Sequence, residues 1–193
     1  MDRPETEVVD CDVLIVGGGM AGCGAAYEAA YWAKQHGLRA VIVEKAAMER
    51  SGAVAMGLSA INCYMGMRWG ENTPEDFVRN DLMGLSREDL VFDIARHVDA
   101  SVHMFEDWGL PFFKTPEGRY VREGKWQVMI HGESYKPIVS EAAKKAICGD
   151  NSYQRIFTSP ISSETSGTST ASPARSSFFG AAMPSVIASI ITG

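Results

Sequence analysis

Three glycines spaced Gly17-x-Gly19-x-x-Gly22 stand between an apolar run and a stretch of small residues. That pattern can cradle a pyrophosphate. The first glycine permits a tight turn, the second lets the backbone approach the phosphates, and the third lets helix and strand pack closely. Met20 and Ala21 open the following helix, whose N-terminal N–H groups and dipole would face the negative charge. Glu44 lies 22 residues past Gly22, close to the ~20-residue spacing at which a carboxylate bonds ribose hydroxyls. A carboxylate there would repel a 2′-phosphate. The chemistry is dinucleotide binding, and at this point NAD and FAD satisfy it equally. The bland alternative is a glycine-rich turn that holds no ligand.

These residues need a β-α-β unit to position them. Val13–Val16 is a continuous apolar run, expected as a strand buried on both faces of a parallel sheet. A helix rich in alanine then runs to about Gln35, with Gly37 as its C-terminal stop. Ala40–Val43 is the second strand, and it delivers Glu44 at its end. The fold class is α/β, with a Rossmann-like arrangement. Beyond it, Thr73 and Pro74 mark a helix start as N-cap and N1. Ser86, with Asp89 three residues on, marks another. Leu90, Val91, Ile94, Val98, Val102 and Phe105 follow at helical spacing. This places His97 at the edge of the stripe as a half-buried packing residue, and His103 on the opposite face as a solvated one. Phe112–Lys114 and Arg119–Arg122 flank a turn at Thr115–Gly118. Lys125–Ile130 is a further strand, and Tyr135 to about Ile147 a helix with Ser134 as N-cap.

Composition excludes several classes. The formal net charge is -6, which argues against a general nucleic-acid binder, since counterion release needs clustered Lys and Arg. No apolar run reaches the 18 or so residues of a membrane-spanning helix. The start of the chain lacks the apolar segment of a secretory signal. Cys11, Cys23, Cys63 and Cys148 are far apart and form no C-x-x-C pair. That fits reduced thiols, a cytoplasmic protein and no metal site. Charge also divides the chain. Residues 1–157 hold 40 of its 42 Asp, Glu, Lys and Arg; residues 158–193 hold only Glu164 and Arg175, with 15 Ser and Thr. The expected organisation is an N-terminal extension over 1–10, a dinucleotide-binding domain over 11–157, which the resemblance described below makes a partial FAD-binding domain, and a disordered or frame-shifted tail over 158–193. A natural Ser/Thr-rich tail is the other reading. Ser185–Ile191 is expected to form no more than a short apolar turn.

The stretch from Glu44 to Asn62 is too rich in small residues for an ordinary amphipathic helix and reads as a close-fitting loop along a long cofactor. Here the chain resembles the fumarate reductase/succinate dehydrogenase group of FAD flavoproteins, which place such a loop between the second strand and the flavin. Within that group it is more closely similar to the flavoprotein α subunits of adenylylsulfate reductase. The likeness rests on Val43–Ala47, Gly57–Asn62, Arg87–Val91, Ala95–Asp99, Trp108–Pro111, Gly118–Gln127 and Met129–Ile138. It ends near Phe157, and that family's subunit is several times longer than this chain.

The resemblance implies an incomplete FAD-binding domain with an inserted helical and hairpin segment. It implies that Gly17, Gly19, Met20, Ala21, Gly22, Glu44, Lys45, Arg50, Ser51, Gly52, Gly57 and Ser59 bind FAD. Some members of the wider group carry a histidine after the Arg-Ser step that bonds covalently to FAD. Gly52 stands there, so non-covalent FAD is implied. The implied chemistry interconverts adenylylsulfate with sulfite and AMP through a flavin–sulfite adduct, exchanging electrons with an iron–sulfur β subunit. Asn62 and Glu123 match active-site positions. An amide at Asn62 can donate to sulfate oxygens without adding negative charge, although it could equally stabilise its loop. Glu123 matches a carboxylate near the substrate channel, and its bland reading is a turn glutamate. Trp126 could line a pocket, but a half-buried strand tryptophan is the commoner case. Tyr153–Phe157 matches a returning strand at the adenine end.

Departures from the family matter as well. The family has a few more residues, including a substrate-site tyrosine, after the match to Asp76–Arg79. Its clamping arginines and catalytic histidine lie past the match to Phe157. The isolated chain is therefore expected to hold FAD weakly and to be inactive alone. The alternatives are another fumarate reductase-type FAD oxidoreductase and a catalytically inactive dinucleotide-binding module.

Overall fold

The computed structural model describes residues 5–65, 72–80, 82–148 and 186–192. Tyr153–Phe157 and most of the Ser/Thr-rich tail lie outside these residues. The chain divides into two compact units, Met1–Met48 with Ala143–Gly193, and Glu49–Ala142.

The first unit opens on β1 (Glu5–Cys11), then β2 (Val13–Val16), α1 (Met20–His36) and β3 (Ala40–Val43). β2 and β3 pair in parallel, from Val13 opposite Ala40 to Val16 opposite Val43. The connecting helix is the crossover that a parallel pair requires. Asp12 fixes the entry to the pair: its carboxylate accepts from the Arg39 N–H at 2.8 Å, and its own N–H donates to the Arg39 carbonyl. α1 buries Cys23, Ala26, Ala30 and Ala33, a stripe of small side chains that permits close approach. It stops where Gly37 turns left-handed at φ 65°. β3 is buried along its whole length, while β2 is only half-buried and Val16 is 68% exposed. The expectation that β2 is covered on both faces is thus not met. Among the described residues the parallel sheet has two strands, and β3 is the covered one.

Residues 5–10, read from sequence as an extension, form most of β1. The segment expected as a turn near the C-terminus is also a strand. Val186–Thr192 (β7, the last of the chain) pairs antiparallel with β1, from Glu5 opposite Thr192 to Cys11 opposite Val186. Its four β-branched Val and Ile residues favour this conformation.

The second unit holds β4 (Ala60–Ile61), α2 (Pro74–Asn80), α3 (Glu88–Asp107), β5 (Arg122–Glu123) and β6 (Gln127–Met129). α4 (Tyr135–Cys148) begins in this unit and ends in the first. The small antiparallel sheet has the order β4-β6-β5. Thr73 caps α2 as its sequence suggests, with its hydroxyl accepting from the Asp76 N–H at 3.3 Å. Ser86 does not cap α3. Arg87 occupies that position, pairs with Asp89 at 2.5 Å, and leaves the Ser86 hydroxyl buried without a partner. Ser134 does not cap α4 either, because its hydroxyl donates to the His131 carbonyl at 3.0 Å. Tight turns at Gly118 (φ 81°) and Gly124 (φ 62°) shape the hairpins. Thr115 N–H bonds to the Arg119 carbonyl at 2.8 Å across the first of them.

The core of this unit gathers Cys63, Met65, Phe77, Val78, Val91, Ala95 and Trp126. Trp126 meets Phe77 edge-to-face at 5.2 Å. α3 therefore docks through Val91, Ala95, Val98 and Val102, and leaves Leu90 and Ile94 exposed. This reverses the two histidine expectations. His97 is 74% exposed beside Asp93, whereas His103 is half-buried under Tyr120, 3.2 Å from its hydroxyl.

Candidate functional site

The glycine loop belongs to the first unit. Gly17 donates to the Val43 carbonyl at 2.8 Å as the parallel pair ends, then turns at φ 100°, which a side chain would strain. A Cβ at Gly22 would stand 1.8 Å from the Gly17 carbonyl oxygen. The third glycine is therefore where the helix meets the backbone of the loop. Gly19 starts α1 with no side-chain cap, and the first turn carries no acid. The helix N-terminus thus presents the N–H groups of Met20, Ala21 and Gly22 without a carboxylate of its own among them. This is what an anion at that end requires.

Glu44 reaches back to the same loop. It is 6% exposed, and its carboxylate accepts from the Gly18 N–H through Oε2 and from the Ala46 N–H through Oε1, the latter at 3.0 Å. Gly18, which the G-x-G-x-x-G pattern treats as arbitrary, proves as constrained as its neighbours. A Cβ there would lie 2.8 Å from Met48 Cγ and 3.0 Å from Glu44 Oε2. Its carbonyl accepts from the Cys23 thiol at 3.3 Å. The signal in the sequence was the unbroken run Gly17-Gly18-Gly19. Lys45, next to Glu44, is exposed.

The other expected residues lie in the second unit. Arg50 is exposed at the end of a 3-10 turn, and Ser51 is buried. Gly52 and Gly57 both take positive φ, 82° and 110°, on either side of a second 3-10 turn over Ala53–Met56. Ser59 is exposed, and its carbonyl accepts from the Ile130 N–H at 3.0 Å. Asn62 is exposed immediately after β4. Its Oδ1 accepts from the Cys63 N–H at 2.9 Å, where Cys63 adopts φ 66°. Asn62 therefore stabilises its loop and still presents an amide NH₂ to solvent. Glu123 ends β5 and lines an open cavity of about 390 Å³ with Asn80, Gly124, Lys125, Trp126 and Gln127. Asn62 thus follows one of the two strands that flank β6, and Glu123 ends the other.

The thiols offer no competing chemistry. Cys11, Cys23, Cys63 and Cys148 are thiols rather than disulfides, and burial pushes the pKa of Cys11 and Cys63 up, with Asp99 adding to the rise at Cys63. Neither is poised as a thiolate. Among the described residues no group of His, Cys, Asp and Glu could hold a metal ion. None of their helices is long and apolar enough to cross a membrane.

With this geometry in place, comparison with known proteins is decisive on the family. A family described as an FAD binding domain matches residues 12–159. The chain belongs to this family. The FAD binding domain is also similar to the adenylylsulfate reductase subunit alpha of Megalodesulfovibrio gigas, at 50% identity, covering 76% of this chain and 25% of that protein. A solved adenosine-5-phosphosulfate reductase in complex with sulfite, as a covalent adduct, is 65% identical. It superposes with a TM-score of 0.66, covering 76% of this chain and 24% of that one. The apo Sdh1 complex of Mycobacterium smegmatis, at 18% identity and a TM-score of 0.58 over 76% of this chain and 27% of that chain, shares the fold. The fold is thus the mixed helix-and-sheet fold of an FAD binding domain. The chain spans about a quarter of the length of the adenylylsulfate reductase relatives.

Proposed function

We propose that this chain is the FAD-binding N-terminal part of an oxidoreductase of dissimilatory sulfur metabolism, one that interconverts adenylylsulfate with sulfite and AMP. The observation that carries the reading is the 65% identity to a reductase structure holding sulfite. The glycine loop and its buried acid support it independently. FAD, when bound non-covalently, supplies the two-electron chemistry and the site at which sulfite is held. Gly17, Gly19, Met20, Ala21 and Gly22 would receive its pyrophosphate, since helix N–H groups and close backbone approach favour phosphate charge. Glu44 would accept from ribose hydroxyls and exclude a 2′-phosphate. Lys45, Arg50, Ser51, Gly52, Gly57 and Ser59 would run along the cofactor. The Asn62 amide would donate to sulfate oxygens, and Glu123 would face the substrate channel. A Rossmann-like completion of the sheet, an iron–sulfur β subunit as electron partner, and a cytoplasmic setting belong to the same proposal.

The flavin spectrum of the 193-residue chain, with FAD in excess, tests it. Sulfite should change the spectrum of the bound flavin saturably, and fumarate should not be reduced by the pre-reduced protein. A flavin that ignores sulfite, or that reduces fumarate, would count against the proposal.

A further inference from the structure

Asn62 and Glu123 are separated by sixty residues of chain, yet one side chain ties their two segments together. Arg122, next to Glu123, donates from a single guanidinium nitrogen to two carbonyls. One is Tyr64, two residues past Asn62, at 3.0 Å; the other is Lys125, two residues past Glu123. Its guanidinium carbon also lies 5.4 Å from the centre of the Tyr64 ring. The same junction is closed by two more bonds. The Tyr64 N–H donates to the Trp126 carbonyl at 2.9 Å, and the buried Asn72 amide donates to the Lys125 carbonyl at 2.8 Å.

We infer that Arg122 is a positioning residue, holding the Asn62 loop and the Glu123 turn at a fixed spacing. This rests on the proposed roles of Asn62 and Glu123. The physical case is the following. The Glu123-Gly124-Lys125 turn is exposed and needs φ 62° at Gly124, so without an anchor its carboxylate would sample many positions. Asn62 follows a strand of only two residues and is itself exposed, although Cys63, Tyr64 and Met65 beyond it are buried. A charged guanidinium bonded to carbonyls on both sides fixes the two segments to each other, because its donors are planar and rigidly spaced. Catalytic groups held to within a fraction of an ångström require such support. Asn72 assists from the Lys125 side only and does not bridge the two segments.

Amide hydrogen exchange on the 193-residue chain tests the clamp without requiring FAD. Arg122→Met should speed exchange at Tyr64, whose N–H donates to the Trp126 carbonyl, by about tenfold or more, the loss expected for a charged hydrogen bond. The α3 amides of Ala95 and Val98 should be unchanged. Arg122→Lys should recover part of the protection, because an ammonium keeps the charge but not the fork. With FAD in excess, sulfite should bind about tenfold more weakly to Arg122→Met and within about threefold of wild type to Arg122→Lys, at equal flavin content. Unchanged exchange at Tyr64 would overturn the clamp. Equal acceleration in α3 would reduce Arg122 to a general stabiliser and overturn it as well. Loosened exchange with unchanged sulfite affinity would overturn the positioning role. A wild-type chain that binds FAD and ignores sulfite would instead refute the proposed function, and the exchange result would still decide the clamp.

Discussion

Replacing Gly22 by alanine should destroy the cofactor cradle while leaving most of the fold in place. The added Cβ would fall 1.8 Å from the Gly17 carbonyl oxygen and 2.9 Å from its carbon. Ordinary contact begins near 3.4 Å, so the loop must move by about 1.6 Å. Its obstacle is backbone, and no side-chain rotation relieves it. Overpacking of this kind costs about 1–3 kcal/mol of stability. The larger effect is on binding, because the loop amides would no longer align with a phosphate. Losing two N–H bonds to a charged ligand, at about 1.5–3 kcal/mol each, weakens affinity by about 150- to 20,000-fold. Gly24→Ala is the matched control. It lies in the same helix with nothing within 4 Å of the new Cβ. It should raise stability by up to about 1 kcal/mol and leave affinity unchanged. Calorimetric titration of FAD into the two variants and the parent chain measures both. If Gly22→Ala binds FAD within about threefold of the parent, the close-approach reasoning is wrong.

Three further outcomes follow from the same geometry. Glu44→Gln would turn an NH₂ toward one of the two amides that now donate to the carboxylate; thermal melts should show a loss of about 1–3 kcal/mol, and FAD titration should show weaker binding. Lys114 and then Tyr120 bond to the Glu106 carboxylate and hold its pKa below the ordinary 4.5. A depressed carboxylate pKa stabilises above the unfolded value, so stability should fall as pH drops below 4.5; Glu106→Gln should flatten that acid limb in melts recorded across it. Trp126→Ala empties a site 6% exposed and packed on Phe77; denaturant unfolding should register a loss of about 3–5 kcal/mol, and an unchanged midpoint would contradict its place in the core.

The cradle was legible because its signals are local. An apolar run, glycines at fixed offsets, an alanine helix and an acid after the second strand all lie within 35 residues, and Val13–Val16, Met20–His36 and Ala40–Val43 fall where the pattern puts them. Gly18 was missed because the motif reads spacing, while the constraint on Gly18 comes from Glu44 and Met48, 26 and 30 residues on. α3 shows the complementary limit. Its periodicity marks an apolar stripe without saying which edge docks, and the surface formed by Phe77, Val78 and Trp126 selects Val91 and Ala95. His103 is covered by Tyr120, seventeen residues away, a partner that helical spacing cannot reveal. The Asn62 and Glu123 positions came from resemblance. The sequence held no sign of the Arg122 contact that joins their segments, because it depends on carbonyls brought together by β6.

Turnover by a graft tests most directly whether this chain is the FAD-binding part of an adenylylsulfate-converting enzyme. Residues 12–148 of this chain would replace the matching segment of the M. gigas subunit, to which the chain is 50% identical, and the purified enzyme would be assayed for release of sulfite and AMP from adenylylsulfate. Turnover should lie within about tenfold of the parent enzyme and be abolished by Gly22→Ala in the graft. A folded graft that carries FAD yet releases no sulfite would contradict that assignment.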